Sequence, residues 1–331
     1  MHAYRKYLAG LLALSLSVSF LTACGKKEET ALQVESQQAT TKEEVKEIAS
    51  NKETELSTEK ETKLSAFKQF TNDFFIENIT ENTLDLHFML KDPASMGITD
   101  YAVTLGDYSE ESVLAKYKRL KQVKKELSKI KSETLTDSEQ ITKDVLLNSI
   151  DTALEGEDFL WYAEPLQPSI GLPAELPILL AEYDFENKRD IEDYLGLLSD
   201  LDRYYGDIIK WEEERSKKGF FMSDTVADMV IEDCKPYLTV DDDSMLMVTF
   251  KERLDALDFL SAKEKEDYLK ENERCLREDV KDAYQTLVDG LSALKGSGKN
   301  KGGLAKLKRG KKYYKYLLKS SVGTDMDPKV L

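Results

Sequence analysis

Apolar residues recur every three or four positions through most of the chain beyond residue 63. One stripe follows Ser109, a good N-cap, and consists of Val113, Tyr117, Leu120, Val123, Leu127 and Ile130. A second follows a capping box at Thr136 and Glu139 and consists of Ile141, Val145, Leu146, Ile150 and Leu154. A spacing near 3.6 residues places such side chains on one side of a helix. No alternating strand pattern of comparable length occurs, so the sequence predicts an all-α fold.

Start and stop signals predict further helices towards the C-terminal end, and the array of helices as a whole should cover residues 63–331. The expected elements are a long helix from Asp190 to Gly219, one capped by Ser223 with Val226, Met229 and Val230 inward, one from Asp243 or Ser244 to about Leu257, and the longest from Ala262 to Leu294.

Four prolines interrupt this pattern between Trp161 and Phe185, a segment that also contains Gly171 and several large apolar residues. They are Pro165, Pro168, Pro173 and Pro177. Because proline removes a backbone donor and ends helices, we expect an ordered, extended segment that crosses the helices and packs against them.

The first 23 residues have the layout of a secretory leader, with Arg5 and Lys6 ahead of an apolar stretch. That stretch is shorter than the roughly 20 apolar residues that span a bilayer. It ends in the sequence Leu21-Thr-Ala-Cys-Gly25, which matches the lipobox of bacterial lipoproteins. We therefore predict a signal peptide at residues 1–23, lipid attachment at Cys24, and a position on the extracytoplasmic face of the membrane in the cell envelope.

Residues 24–62 are rich in Lys, Glu, Thr, Ser and Gln and contain no aromatic residue. Such a composition buries too little apolar area to offset the entropy lost on ordering. We expect a disordered, charged tether here, followed by a helical domain at 63–331.

The charge balance of the chain bears on its partners. Removal of the leader would leave 45 basic and 63 acidic residues, a net charge of −18. Because nucleic acid phosphates repel an acidic protein, we exclude nucleic acid as a partner. The same charge disfavours binding to anionic lipid, so the acyl chains on Cys24 should hold the protein on the membrane.

Catalytic motifs are missing from the sequence: there is no G-x-S-x-G, P-loop, dinucleotide fingerprint or H-E-x-x-H. His87 is the one histidine beyond the leader and lies in an apolar helical context that is typical of packing. Asp241–Asp243 lack the glycine and spacing of a calcium loop and indicate a helix start instead. Glu212–Glu214 are typical of a helix surface. We predict no catalytic residue, no metal ligand and no cofactor in this chain.

A basic stretch stands out against the acidic background, with ten basic and no acidic residues between Gly290 and Thr324. One interpretation is a binding site in which Lys311 receives a carboxylate of a peptide, while Tyr313 and Tyr314 add hydrogen bonds or stacking. The other is a solvated basic face that balances acidic neighbours. The sequence leaves both open.

Cys234 and Cys275 are the cysteines other than Cys24, and nothing in their spacing requires a disulfide. In a chain with so few cysteines, free and half-buried thiols are the expected state.

Several short sequences occur in an order that resembles one bacterial family. They are Asn82-Thr-Leu-Asp-Leu-His-Phe, Asp92-Pro with Gly97, Gly171-Leu-Pro, Leu179 to Phe185, Asp193-Tyr-Leu-Gly-Leu-Leu, Lys218-Gly-Phe-Phe-Met-Ser, Gly310-Lys-Lys-Tyr-Tyr-Lys-Tyr-Leu-Leu and Gly323-Thr-Asp-Met-Asp-Pro. In this order they resemble the N-terminal half of the family called domain of unknown function 885.

The resemblance implies a zincin-like metallopeptidase parent, largely helical, whose zinc motif, similar to H-E-x-x-P-G-H-H, lies in the later half. Here Asp327 and Pro328 are typical of a helix start, yet the sequence ends at Leu331. We therefore expect an N-terminal fragment that is inactive alone and forms half of a larger zincin-like fold. Its partner would be the missing C-terminal half of the same polypeptide. The alternative is a non-enzymatic lipoprotein that binds peptides or proteins.

Overall fold

A computed structural model describes residues 65–300, 302–327 and 329–330. The predicted leader at 1–23, the lipid-attachment residue Cys24 and the tether at 24–62 lie outside the described residues. Those three assignments stay predictions.

The described residues form helices joined by turns and irregular segments and contain no strand, which confirms the all-α prediction. The α-helices are α1 (Ala66–Ile79), α2 (Thr83–Met89), α3 (Glu110–Lys129), α4 (Asp137–Glu155), α5 (Leu172–Ala181), α6 (Lys188–Lys218), α7 (Asp224–Cys234), α8 (Met245–Asp255), α9 (Ala262–Cys275), α10 (Lys281–Leu294) and α11 (Gly310–Leu317). None of them is both long and apolar enough to span a bilayer.

Helix α6 lies at the centre of the largest hydrophobic core. Helices α9 and α10 pack along it, α7 packs on α10, and α5 packs between α7 and α8. The fully buried aromatic side chains of this core are Tyr183, Tyr194, Tyr205, Phe221, Phe250 and Tyr284. Each removes a large apolar area from water, so this core carries most of the hydrophobic stabilisation.

A smaller core lies between α1, α3 and α4 and includes Phe67, Phe74, Val123 and Ile150. Tyr117 of α3 also meets Trp211 of α6 in a separate cluster. The pair α3 and α4 is thereby held beside the central helix.

The proline-rich segment is only partly extended, which corrects the sequence prediction. Residues 172–181 form α5, with Pro173 in its first turn and Pro177 inside it. Proline suits the first turn because that N–H has no helical partner. Pro177 deprives the Pro173 carbonyl of its usual donor, and the Tyr284 hydroxyl donates to that carbonyl at 2.7 Å instead. A tertiary contact therefore makes this helix possible.

Local capping signals are placed as expected, with one exception. Ser109 and Ser223 cap α3 and α7, and the Thr136–Glu139 capping box begins α4. The N-cap of α6 is Asn187. Asp190, which was predicted as the cap, is the third residue of the helix and completes the capping box with Asn187.

Three apolar residues predicted to face inward are exposed: Ile141, Val145 and Met229. The stretch from Ala262 to Leu294 is helical throughout, but a π-helical turn at Leu276–Val280 separates α9 from α10. Leu276 and Val280, at the two ends of that turn, are both buried in the core.

Candidate functional site

An open cleft lies where α3, the end of α4 and α11 meet. Its volume is about 830 Å³, in the range of ligand pockets. It is lined by Lys124, Asp151, Leu154, Glu155, Asp158, Phe159, Lys312, Lys315, Tyr316, Lys319, Asp325 and Met326.

The two long walls of the cleft carry opposite charges. Asp151, Glu155 and Asp158 line the α4 side, while Lys312, Lys315 and Lys319 line the α11 side. Within each set the residues are three or four positions apart, so they share one side of a helical turn. The sequence pattern contains both stripes, but it does not reveal that they face each other.

Several of these charged side chains already form ion pairs. Lys319 Nζ lies 2.6 Å from Glu155 Oε1 across the cleft, and Lys315 Nζ lies 3.2 Å from Asp327 Oδ2. The hydrogen bond from Arg309 lowers the pKa of the Asp158 carboxyl. Lys312 is exposed and forms no ion pair with any described residue. It is the cation of the cleft that is most available to a ligand.

An aromatic cluster closes the floor. The rings of Phe159, Tyr162, Tyr313 and Tyr316 contact one another at centroid distances of 5.1 to 6.1 Å. Gly156 lies against it, and a Cβ there would lie 2.4 Å from the Tyr316 hydroxyl oxygen. A glycine is therefore needed for the turn to approach α11 this closely.

The three predicted binding residues do not lie together. Tyr313 is buried in the aromatic cluster, and burial raises its pKa to about 12. Lys311 and Tyr314 are exposed on α11 but do not line the cleft. Their role in peptide binding stays a prediction.

A buried charge cluster lies beneath this region, and the sequence interpretation of Glu212 as a surface residue is wrong. Glu212 is 0% exposed and Arg215 3%. Arg215 Nη1 donates to Glu212 Oε2 at 2.7 Å and to Glu164 Oε2 at 2.5 Å. Residues 201, 205, 208, 212 and 215 all fall on the buried stripe of α6. The helical spacing of Glu212 from these buried residues therefore indicated burial, whereas the run of three glutamates had suggested a surface position.

The proton balance of Glu212 makes a testable prediction. Burial, together with the Glu164 carboxylate, outweighs the attraction of Arg215 and raises the pKa of Glu212 to about 8. A folded-state pKa above the unfolded value gives stability that is present at low pH and lost as the pH rises towards 8. We expect Glu212→Gln to flatten the decrease in unfolding free energy between about pH 5 and pH 8, a slope of at most about 1.4 kcal/mol per pH unit.

Urea denaturation at a series of pH values measures this slope in the wild type and in the variant. Glu214→Gln is the matched control on the same helix, since Glu214 is paired with Lys217 and Lys218 at the surface. Equal pH slopes for wild type and Glu212→Gln would contradict the assignment.

The other polar candidates have structural surroundings. His87 stacks on Tyr183 with centroids 3.5 Å apart, and burial lowers its pKa. Asp243 directly precedes Ser244, the cap of α8, while Asp242 pairs with Arg277 at 3.2 Å. In the described part of the chain, no group of three or more His, Cys, Asp or Glu side chains is placed to hold a metal ion.

Both described cysteines are free. Each is fully buried rather than half-buried. Burial raises the pKa of Cys234 to about 12 and that of Cys275 to about 11.

The fold and the cleft define an all-α protein with an open groove whose two walls carry opposite charges. Residues 92–331 match the family described as bacterial protein of unknown function, DUF885. The chain belongs to this family. No curated protein matches it.

A solved structure has a similar fold. It is the crystal structure of the "putative lipoprotein from Colwellia psychrerythraea", with a TM-score of 0.63 and 14% sequence identity. The match covers 81% of this chain and 48% of that one. The chain thus spans about half the length of this structural neighbour.

Proposed function

We propose that this chain is part of a lipid-anchored protein of the cell envelope and that the cleft between α4 and α11 binds peptides. In the proposal, the whole polypeptide is a zinc-dependent peptidase that acts on extracytoplasmic peptides. This chain is its N-terminal part and supplies binding surface without independent catalysis.

The opposite charge of the two cleft walls is the observation that carries the peptide assignment. A short peptide with free ends is a zwitterion, and its carboxylate and ammonium groups match the lysine wall and the carboxylate wall. Exposed ion pairs contribute little net free energy, so a ligand's charged group can replace one partner at small cost. Leu154, Phe159 and Tyr316 add an apolar floor for a side chain between the two ends.

The envelope location is supported by the lipobox at Cys24 and by the description of the structural neighbour as a "putative lipoprotein". The peptidase part of the proposal rests on the resemblance of the family's later half to zincins. The non-enzymatic alternative, a peptide-binding lipoprotein, would use the same cleft.

Binding of a tripeptide tests the cleft directly. We expect Ala-Phe-Ala with free ends to bind the mature chain, and Lys312→Gln to weaken binding about three- to tenfold because one charge-assisted contact is lost. Isothermal titration calorimetry gives both dissociation constants. Amidation of the peptide's C-terminus should weaken binding by a similar factor in the wild type and have little effect in the variant.

Lys311→Gln is the matched control, because Lys311 is the exposed neighbour on the same helix and lies outside the cleft lining. Equal losses for the two variants, or no dependence on the free carboxylate, would refute the cleft assignment.

Peptide hydrolysis by the polypeptide of the intact gene, with and without a zinc chelator, separates the two functions. Chelator-sensitive hydrolysis supports the peptidase, and binding without hydrolysis supports the alternative.

A further inference from the structure

The basic residues that the structure describes between Gly290 and Thr324 divide into two groups by their contacts. Members of the first group pair with acidic residues at 2.5 to 3.2 Å; they are Lys295 with Asp228, Arg309 with Asp158, Lys315 with Asp327, and Lys319 with Glu155. Members of the second group are exposed and form no ion pair with any described residue; outside the cleft they are Lys299, Lys306, Lys308 and Lys311. Part of the basic stretch therefore balances acidic neighbours, and part of it presents unpaired lysines to solvent.

The segment that carries the outward lysines is fixed to the helical body at both ends. At its start, the Gly296 amide donates to Asp224 Oδ1 at 2.7 Å, and Ser216 Oγ donates to Ser297 Oγ at 2.7 Å. At its end, Arg309 Nη2 donates to Asp158 Oδ2 at 2.7 Å. These contacts join both ends of the segment to the helical body, so the lysines at its described positions project from a surface that is attached to the fold.

An exposed aromatic ring lies among these charges. Tyr314 is 47% exposed and follows Lys311 by three residues, which places both on one side of α11. Tyrosine has an apolar ring and a polar tip and is favoured where hydrocarbon meets water. Lysine side chains likewise lay their methylenes on apolar surface while the ammonium groups stay in the polar layer.

We propose that the outward basic surface, formed by Lys299, Lys306, Lys308, Lys311 and Tyr314, docks on the anionic lipid headgroups of the membrane. This inference rests on the lipid anchor proposed above, which would keep the surface close to the bilayer. Tethering raises the effective concentration of the basic surface at the bilayer, so that even a weak contact with the headgroups is populated.

The overall acidity of the chain does not oppose this contact. Electrostatic interactions in salt decay over about 8–10 Å. A lipid plane that meets the outward basic surface therefore senses these lysines more strongly than carboxylates elsewhere on the protein. A long polyanion that extended beyond the surface would meet the acidic remainder of a chain with net charge −16.

Vesicle co-sedimentation tests the docking without the anchor. The mature chain beginning at Gly25 lacks Cys24 but retains every described helix, since the first begins at Ala66. We expect it to bind vesicles of phosphatidylcholine mixed equally with phosphatidylglycerol, and not phosphatidylcholine alone. Binding should disappear at about 0.5 M salt, where charges are screened within ~4 Å.

Replacement of Lys299, Lys306, Lys308 and Lys311 by Gln should weaken binding to the anionic vesicles at least about tenfold. The matched control replaces four exposed lysines of the α3 region that also form no ion pair with any residue the structure describes, Lys118, Lys125, Lys129 and Lys131, and should bind within about twofold of wild type. Equal losses in the two variants would overturn the proposal, as would equal binding to neutral vesicles. Binding to polyglutamate but not to the anionic vesicles would assign the surface to an acidic protein and also overturn the proposal.

Because the tested chain carries no lipid, a failure of acylation at Cys24 leaves this result unchanged. Since Lys312 is intact in both quadruple variants, peptide binding in the cleft is also unchanged. Failure of the docking and failure of the proposed function are therefore separate outcomes.

Discussion

Above about pH 8, where Glu212 is ionised, Arg215→Met is expected to destabilise the protein by roughly 3–5 kcal/mol, because it leaves a buried carboxylate without its cation. Arg215 is 3% exposed and contacts both Glu164 and Glu212 through Nη1. Its Nε also donates to the Trp161 carbonyl at 3.2 Å, which fixes the segment between α4 and α5 to α6. In a domain of this size such a loss corresponds to a decrease of about 10 °C in the melting temperature.

Urea denaturation followed by circular dichroism measures the change. Lys217→Met is the control two residues away, since Lys217 is largely exposed and pairs only with Glu214 at the surface. It should unfold like the wild type. The double variant Glu212→Leu with Arg215→Met should recover much of the loss, because an apolar pair no longer buries an uncompensated charge. A change below about 1 kcal/mol in Arg215→Met would show that water or another group compensates the cluster.

This cluster illustrates which parts of the structure a sequence can predict. A capping box such as Thr136 with Glu139 depends on residues three positions apart, so the pattern alone is sufficient. The same holds for the stripe of α3, in which Val123 and Leu127 are fully buried. Local signals of this kind predicted the all-α class and most helix starts.

Features that depend on distant residues could not be predicted in this way. Helix α5 tolerates Pro177 only because Tyr284, more than 100 residues later, supplies the missing donor. Glu212 is buried because Glu164 and Arg215 share its site, and Glu164 lies in a segment without helical periodicity. The two walls of the cleft are likewise separate stripes until α4 and α11 are brought together.

Replacement of Cys24 by Ala should remove the protein from the membrane fraction. In the proposed lipoprotein, Cys24 carries the acyl chains, and each buried methylene contributes about 0.8 kcal/mol to membrane partition. A single chain of myristoyl length gives only marginal, reversible binding, whereas two or three chains hold firmly. Loss of the thioether therefore removes the anchor, and the remaining attraction of the outward basic surface is weak and sensitive to salt.

The measurement combines metabolic labelling with a palmitate analogue and fractionation of the cells after a wash at high salt. A second chain, in which a cleavable leader without a lipobox precedes Gly25, separates loss of the lipid from retention of the original leader. Cys234→Ala is the control, because that thiol is buried in the core and should not accept lipid. Wild type and Cys234→Ala should carry the label and sediment with membranes, and Cys24→Ala should carry none. Label retained by Cys24→Ala, or a mature wild-type mass without acyl chains, would remove the physical basis for the proposed lipid anchor.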